Sequence, residues 1–383
     1  MARVALVLTM VGGLAGCGGG SPFAPEKVAV IPTAPTAAET PSLSLDPNVS
    51  SHSKFAWDPA RSLTMNAVTY DSVSDKLVIN NLPFDGPEGI YDNVLTFANG
   101  AKAYKSRSTE TTGQMPHYAV FVSTVAMQAT SAAGANWLGY GNSGANVNRT
   151  GFRLPAGGEY IYVGKYAATR VFDGRTGLEL VTGDLRLIVD VLDFDPKAGV
   201  QGDIAGRIFN RTRVFSVLPV ALNRFSSTTA TQGRALPDVI LAEVGFSTTE
   251  GSFDNGTAES YAPDTTAWES GTYSGILGGT SGEQIGGYTV ITGTADVQSV
   301  RYQVQNYTLA GVNGVASGLD SISQTQLQDM LNAGETLPGV LLAPPLPTDA
   351  VATTSSFVDL QLRTDYTARE IGVFVGTQVP TTP

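Results

Sequence analysis

The sequence predicts an all-β protein in which a β subdomain precedes a closed antiparallel barrel. Of its 383 residues, 43 are glycine, 21 are proline and only 15% are charged, which is typical of strands joined by many turns. Several segments alternate apolar and polar residues with a period of two, as half-buried antiparallel strands do. Glycines recur on the apolar face of these segments, which favours closure into a barrel.

The first 17 residues are typical of a bacterial lipoprotein signal. Residues 1–3 carry a positive charge, and the apolar run 4–14 is too short for a permanent membrane span. The run ends in Leu14-Ala15-Gly16-Cys17, which matches a lipobox. Cys17 is the single cysteine of the chain and stands where lipidation requires it, so we predict a lipid anchor there. The alternative is a chance cysteine after an ordinary signal.

Composition also restricts the partners. The formal net charge is −11, which opposes contact with nucleic acid and with anionic membrane surfaces. Once Cys17 is lipidated, no thiol is left for a disulfide, a metal ion or nucleophilic catalysis. Gly18 rather than aspartate follows Cys17, which is consistent with transport onward to the outer membrane.

A tether and a β subdomain follow the signal. Residues 18–53 contain six prolines among small polar residues, so we expect an extended tether that buries no core. Residues 54–156 are predicted to form the N-terminal β subdomain. It includes a hairpin over residues 68–80 and a buried strand over residues 118–122.

The barrel strands are predicted from residue 157 to residue 296. Segments 159–166, 184–194, 200–209 and 240–246 all alternate between apolar and polar residues. In the last of them the alternation predicts that Ile240, Ala242, Val244 and Phe246 share one face. Arginine and aspartate stand on the opposite faces of the earlier segments, so we expect a soluble barrel rather than a lipid-exposed one.

Residues 271–288 form a glycine-rich stretch between two β runs. We predict that one strand ends near Leu277, that a tight turn follows, and that the next strand resumes by Tyr288. The stretch resembles the signature at the end of the transferrin-binding protein B-like lipoproteins, with Leu277 in place of an aromatic residue and Gly282 in place of alanine. The residues assigned to the signature are Gly271, Thr272, Gly279, Glu283, Gly286 and Gly287.

This resemblance covers about residues 157–296, including Tyr162-Val163-Gly164 and Gly199-Val200-Gln201-Gly202. It implies an eight-stranded barrel, so the full expectation is an all-β protein with an N-terminal β subdomain, an eight-stranded antiparallel soluble β-barrel and one short C-terminal helix. It also implies a surface lipoprotein of Gram-negative bacteria that captures a host or environmental ligand, often one linked to iron or haem. A dedicated translocon would export it. The carried-over residues are scaffold positions and name no ligand-binding residue.

Residues 297–383 are predicted to form a C-terminal β extension. Ser323 and Gln326 form a capping box that begins the short helix, and Gly334 ends it. The segment 370–376 resembles the closing strand of the family. Two topologies follow: the barrel closes near residue 293 and a tail is added, or the last strand closes it and residues 297–350 are an insertion. We favour the first.

Little in the sequence predicts catalysis, a metal ion or a cofactor. His52 and His117 are the only histidines and lack ligand spacing to other donors, and we interpret His117 as an ordinary loop residue. Gly139 to Gly144 satisfies Gly-x-Gly-x-x-Gly without a helical pattern after it, so we expect a loop rather than a dinucleotide site. The cluster Asp190, Asp193 and Asp195 could bind calcium, although a scaffold role is the preferred interpretation.

Two further interpretations concern Glu283 and the aromatic residues. Glu283 is expected to accept hydrogen bonds from backbone N–H groups of its turn rather than to act as a catalytic acid. The aromatic residues are expected to pack between strands, with contact to a partner as the alternative. They are Trp137, Tyr140, Tyr160, Tyr162 and Tyr166.

From these observations we expect a lipid-anchored outer-membrane protein, exposed at the cell surface, that binds a ligand rather than catalyses a reaction. Its expected partners are the membrane, an extracellular ligand or protein, and the export translocon. The first alternative is an envelope-assembly lipoprotein that faces the periplasm and has no diffusible ligand. A carboxylate-dependent hydrolase is the third hypothesis, which paired carboxylates in one pocket would favour.

Overall fold

The computed structural model describes residues 51–58, 63–65, 67–79, 89–107, 116–135, 141–195, 199–221, 224–228, 234–263 and 265–380. The predicted signal, Cys17 and the tether up to residue 50 lie outside these ranges, as do Trp137 and Tyr140. The first strand begins at Ser51, three residues before the predicted start of the N-terminal β subdomain at residue 54.

The N-terminal β subdomain is one antiparallel sheet of nine strands, in the order β2-β1-β9-β8-β7-β6-β5-β4-β3. The predicted hairpin is confirmed as β3 and β4, and the predicted strand 118–122 lies within β7. The strands are β1 (Ser51–Asp58), β2 (Leu63–Thr64), β3 (Val68–Asp71), β4 (Lys76–Ile79), β5 (Ile90–Thr96), β6 (Lys102–Ser106), β7 (His117–Ser123), β8 (Met127–Ala135) and β9 (Gly141–Thr150).

Eight antiparallel strands close the predicted barrel, in the order β10-β11-β12-β14-β15-β16-β17-β22, with β22 pairing again with β10. One further strand, β13 (Arg224–Thr228), pairs with β12 outside this ring. The barrel strands are β10 (Glu159–Asp173), β11 (Leu178–Asp195), β12 (Gly199–Ala221), β14 (Val239–Phe246), β15 (Ser252–Tyr261), β16 (Ala267–Gly278), β17 (Gln284–Thr294) and β22 (Thr367–Gln378).

The last strand closes the barrel, so the topology that we favoured from the sequence is wrong. β22 lies between β10 and β17, where Gly376 is the register partner of both Gly164 and Ile285. Thr294 at the end of β17 pairs with Thr367 at the start of β22. The chain therefore leaves and re-enters the barrel at one point of its rim, and residues 295–366 form an insertion.

The insertion is a small sheet covered at its base by the helix. We call it the inserted module. Its elements are β18 (Val297–Leu309), β19 (Val312–Ser317), a 3-10 turn (Gly318–Asp320), α1 (Gln324–Ala333), β20 (Val340–Leu341) and β21 (Val351–Arg363). The helix is as predicted: Ser323 and Gln326 form the capping box, and Gly334 ends the helix in the left-handed region at φ 84°.

Of the five hydrophobic clusters among the described residues, three fill the barrel, join it to the N-terminal sheet and hold the inserted module together. The barrel interior is filled by aromatic and aliphatic side chains, and a second core lies between the outer barrel surface and one face of the N-terminal sheet. The second core buries Met127 and Val147 of the sheet against Ile371 and Val373 of β22. The third core lies in the inserted module, where Leu327 and its neighbours on α1 pack on the sheet. The N-terminal sheet therefore covers one side of the barrel wall.

One predicted barrel face is wrong in β14. Ile240 is 48% exposed, whereas Val239, Leu241 and Phe246 point into the barrel. A β-bulge causes the difference: Ile204 pairs with Val244, but two residues later on β12 the partner is Leu241, three residues away. The extra residue inverts the alternation within the strand. Period-two alternation cannot predict the position of a bulge.

Candidate functional site at the barrel rim

The glycine-rich turn is held by Glu283, as the sequence predicts. Its carboxylate accepts hydrogen bonds from the backbone N–H of Ser281 at 2.7 Å and of Thr280 at 3.3 Å. Burial alone would raise the pKa of Glu283, but these hydrogen bonds outweigh it and lower the pKa below its ordinary value. Gly279 has φ +92°, and a Cβ there would lie 2.4 Å from this carboxylate. Glu283 therefore organises the turn.

The glycine pair after this turn lets side chains approach both sides of the barrel wall. A Cβ on Gly286 would lie 2.5 Å from Met127 Cε of the N-terminal sheet, outside the barrel. A Cβ on Gly287 would lie 2.3 Å from the ring of Phe374, inside it. At Gly271, the backbone of the neighbouring strand would lie 1.9 Å from such an atom. These predicted scaffold glycines are needed for close packing.

Charged side chains close the barrel interior near the rim that carries the insertion. Arg211 Nη2 donates to Glu269 at 2.9 Å and to Glu370 at 2.8 Å. Arg170 donates to the other oxygen of Glu269 at 3.1 Å, and Tyr166 donates to Glu370 at 2.5 Å. All five side chains are buried, and we call them the buried ionic network. Sequence reasoning missed it because its members are far apart in the chain.

The network keeps the Glu269 carboxylate ionised. Burial opposes ionisation of Glu269, but Arg211 and Arg170 outweigh it and hold the pKa of this carboxyl below its ordinary value. Burial likewise opposes charge on Arg211, but Glu269 and Glu370 raise its pKa well above the ordinary value. Burial and the neighbouring Glu370 raise the pKa of Tyr166. Each charge is matched by another, so the network is suited to fixing strand positions.

A small cavity lies above the network, between the rim and the end of α1. Its volume is about 60 Å³, whereas sites for drug-sized molecules measure roughly 300–1,000 Å³. Arg213 bridges two acidic residues of its wall, Asp296 at 2.7 Å and Glu179 at 3.5 Å. Arg234 also pairs with Asp296. A hydrolase would need two carboxylates in one pocket. Here Glu179 and Asp296 are both paired with Arg213, and in the network Glu269 and Glu370 are both paired with Arg211.

Arg175 fastens the inserted module to the same rim. Its guanidinium donates to the carbonyl oxygens of Asn332 and Ala333, each at 3.2 Å, at the carboxyl end of α1. It also donates to the Tyr366 hydroxyl and lies 5.1 Å from the centre of that ring. A cation at this end of a helix also interacts favourably with the helix dipole. The module is therefore anchored to the barrel at its base.

Two interpretations of the sequence need correction at the N-terminal sheet. His117 is a buried residue of strand β7 rather than a loop residue. It pairs with Gly134 of β8, and the next residue, Tyr118, pairs with both β6 and β8. The second half of the Gly-x-Gly-x-x-Gly match, Gly141 to Gly144, begins strand β9 and is not a loop. A dinucleotide fingerprint lies between a strand and a helix, whereas this half of the match lies within a strand.

The aromatic row of β10 packs inside the barrel, as the preferred interpretation predicts. Tyr162 and Tyr166 are fully buried, and the Tyr162 hydroxyl donates to the carbonyl oxygen of Gly282 at 2.5 Å. Tyr160 is only partly buried and donates to the carbonyl oxygen of Ala156. Buried aromatic residues thus tie the core to the glycine-rich turn.

A metal site would require several ligating side chains close together within the described residues. No group of three or more His, Cys, Asp or Glu side chains is placed there to hold a metal ion. Asp190 lies partly exposed on β11, beside Glu159 of β10 and Asp203 of β12. The side chains of Asp193 and Asp195 lie outside the described part of the structure.

Several exposed apolar side chains lie on the two outer strands of the inserted module, at positions that the sequence analysis did not assign to a site. Most large apolar side chains elsewhere in the described barrel are buried, but here several are 40% to 69% exposed. We call them the apolar surface of the module: Val312 (69%), Val315 (61%), Val351 (66%), Phe357 (45%) and Val358 (40%). The available sequence signal was the charge-free, β-prone run 351–358, but alternation alone does not reveal that both faces are exposed.

Comparison of the chain with protein-family models, curated proteins and solved structures finds no match. The family resemblance thus rests on the glycine motif, the early barrel segments and the segment 370–376. Within the described residues, no helix combines the length and hydropathy needed to cross a bilayer.

Proposed function

We propose that the protein is an outer-membrane lipoprotein, anchored through Cys17 and exposed at the cell surface, which binds a host or environmental ligand through the inserted module. One observation carries the proposal: the inserted module projects from the barrel rim and carries exposed apolar side chains, with Val312 69% and Val351 66% exposed at its far end, where they pair with Leu309 and Thr308. These side chains lie on β19 and β21 of the same module, and apolar side chains grouped at a protein surface are typical of interaction sites.

The remaining architecture supports a binding role for this rim. The barrel interior is filled by side chains, and the cavity above the network holds only about 60 Å³. The N-terminal sheet covers the outside of β10, β17 and β22. Arg175 and Asp296 fasten the base of the module, so the barrel acts as a rigid support for a projecting surface.

The lipobox and the resemblance support the location. A lipid on Cys17 would hold the chain at the membrane, and residues 18–50 would separate the body from it. The resemblance associates such barrels with surface export by a translocon and with ligands of iron or haem acquisition. On this proposal the protein acts by binding, without a cofactor of its own.

Protease shaving tests the location. Intact cells are treated with protease, the barrel is followed by antibody, and lysed cells and a periplasmic protein serve as controls. Digestion on intact cells, with the periplasmic control protected, is the expected result. Protection until lysis would contradict surface exposure. It would favour the second candidate, an envelope-assembly lipoprotein that faces the periplasm, whose large filled barrel would serve as a structural support.

A further inference from the structure

The inserted module has an open sheet edge. β21 pairs with β18 on one side, and no other strand of the described residues pairs with its second side. Every residue from Val351 to Asp359 is exposed, while the last residues of the strand lie under α1. An edge of this kind presents unpaired backbone N–H and C=O groups to solvent.

The usual protection of such edges is weak along β21. Natural edge strands commonly carry lysine, proline or bulges that block further pairing. Residues 354–358 contain neither charge nor proline. A bulge occurs only at Thr353, because Asn306 pairs with Thr354 while the next residue of β18 pairs with Ala352. The regular part of the edge, residues 354–359, is therefore open. We call it the free edge.

We propose that the free edge binds an extended segment of a partner polypeptide, which adds to the sheet as a further strand. The proposal rests on the binding function above and names the class of its ligand. A row of alternating backbone donors and acceptors is complementary to another extended backbone, since each N–H then meets a C=O. Neither a nucleic acid nor a small molecule offers that repeat.

Charge favours a foreign partner over a second copy of this chain. Each copy carries a formal charge of −11, and like charge opposes self-association. The edge itself is neutral up to Asp359, whose carboxylate lies 3.6 Å from Arg301 in an exposed ion pair. An uncharged or basic segment fits this surface, and an acidic one does not.

The side chains beside the edge indicate what the added strand should carry. Val358 lies opposite Tyr302 on one face of the sheet, and Phe357 lies opposite Gln303 on the other. Both are more than one third exposed, at 40% and 45%. An added strand would place its own side chains next to them, and β-branched or aromatic residues pack best in such positions.

A peptide with the sequence of residues 297–309 is the probe. This is the sequence of β18, which already pairs antiparallel with β21, so the order of its side chains suits both faces of β21. The labelled peptide is titrated with the purified folded protein, and fluorescence anisotropy reports binding. We expect saturable binding at least about tenfold tighter than that of a scrambled peptide. Equal or absent binding of the two peptides would overturn the proposal.

Proline substitutions locate the binding edge. Backbone N–H groups alternate between the two sides of a strand, so one of Ser355→Pro and Ser356→Pro removes an outward N–H while the other breaks the ladder to β18. One of the two variants should keep the wild-type circular dichroism spectrum and melting temperature. That variant is expected to lose binding of the labelled peptide. Proline at Asn313 or Gly314, on the opposite edge strand β19, is the matched control and should leave binding intact. Loss only in the β19 variants would overturn the assignment to β21.

Sedimentation velocity tests whether the free edge pairs with a second copy of this chain instead of a foreign segment. The protein is expected to stay monomeric at the concentrations of the titration. A dimer that the edge proline dissociates would assign the free edge to self-pairing and overturn the proposal. These measurements use purified protein, so they remain decisive even if protease shaving places the protein in the periplasm.

Discussion

Arg211 of β12 and Glu370 of β22 meet inside the barrel, where Nη2 donates to Oε2 at 2.8 Å and both side chains are fully buried. They are 159 residues apart in the chain. The contact ties the strand that closes the barrel to its interior. Removing one partner of a buried ion pair leaves an uncompensated charge, which costs about 3–5 kcal/mol.

Arg211→Met is therefore expected to lower the free energy of unfolding by about 3–5 kcal/mol, because Glu269 and Glu370 lose their shared donor. Urea denaturation measures the change. Arg207→Met is the matched control on the same strand, since Arg207 is exposed and its contacts are a 3.8 Å ion pair with Asp238 and the ring of Phe209 at 4.9 Å. Its expected cost is below about 1 kcal/mol. If both variants lost the same free energy of unfolding, the buried ion pairs of Arg211 would stabilise the fold no more than the exposed ion pair of Arg207 does.

Stability should decrease in acid because of Glu269. Its pKa is lower in the folded protein than its ordinary value of 4.5, so its contribution is fully present above pH 4.5 and is lost as the pH falls through the folded pKa. Glu269→Gln should be destabilised at neutral pH, and its difference from wild type should shrink below pH 4.5. Melting temperatures between pH 3 and 7 test this.

Thr289→Val is the control for that pH series. Thr289 is buried and is hydrogen-bonded at 3.1 Å to Tyr166, a member of the buried ionic network. Its hydroxyl does not titrate in this pH range. Its effect on the melting temperature is expected to be nearly independent of pH. A Glu269→Gln deficit that stays constant from neutral to acid pH would contradict the assigned pKa.

Gly287→Ala should destabilise the barrel by about 1–3 kcal/mol, as overpacking of a core does. The new Cβ would lie 2.3 Å from the Phe374 ring and 2.4 Å from the Ser274 carbonyl oxygen, and a backbone oxygen cannot move aside easily. Gly286→Ala should cost less, because it meets the flexible end of Met127. Thermal unfolding compares both with Gly339→Ala, where no atom lies within 4 Å. Equal melting temperatures for the Gly287 and Gly339 variants would contradict the packing argument.

Cys17→Ser should abolish membrane anchoring, because the chain contains no other cysteine to carry the lipid. Phase partitioning in a cloud-point detergent, with labelled fatty acid incorporation, measures the loss. Ser21→Ala, four residues beyond the lipobox cysteine, is the control and should partition like the wild type. Unchanged partitioning of the Cys17 variant would exclude the lipobox interpretation.

Local features were predictable from the sequence for a local reason. The capping box of Ser323 and Gln326 and the turn around Glu283 involve groups within a few residues of one another, so their chemistry can be seen directly in the chain. The faces of β11 were predictable because burial on one side imposes a period of two. The bulge in β14 was not, since it depends on the register with β12.

The candidate site was largely beyond prediction. Arg170 and Glu269 are 99 residues apart, and only barrel closure brings them within 3.1 Å. Their strands individually resemble any other half-buried strand. The exposure of residues 351–359 depends on where the module ends and what covers it, and both are set by the position of α1 over the base of the sheet.

The sequence by itself determined the all-β class, the glycine-rich turn and the helix, because each depends on side-chain period or on groups close in the chain. Only the tertiary structure decided that β22 closes the barrel, that residues 295–366 are an insertion, and that β21 has a free edge. Strand pairing joins residues that are distant in sequence, and many strands have similar alternation. Which two strands meet is settled by the closed hydrogen-bond ring and the buried ionic network, not by the local pattern of either strand.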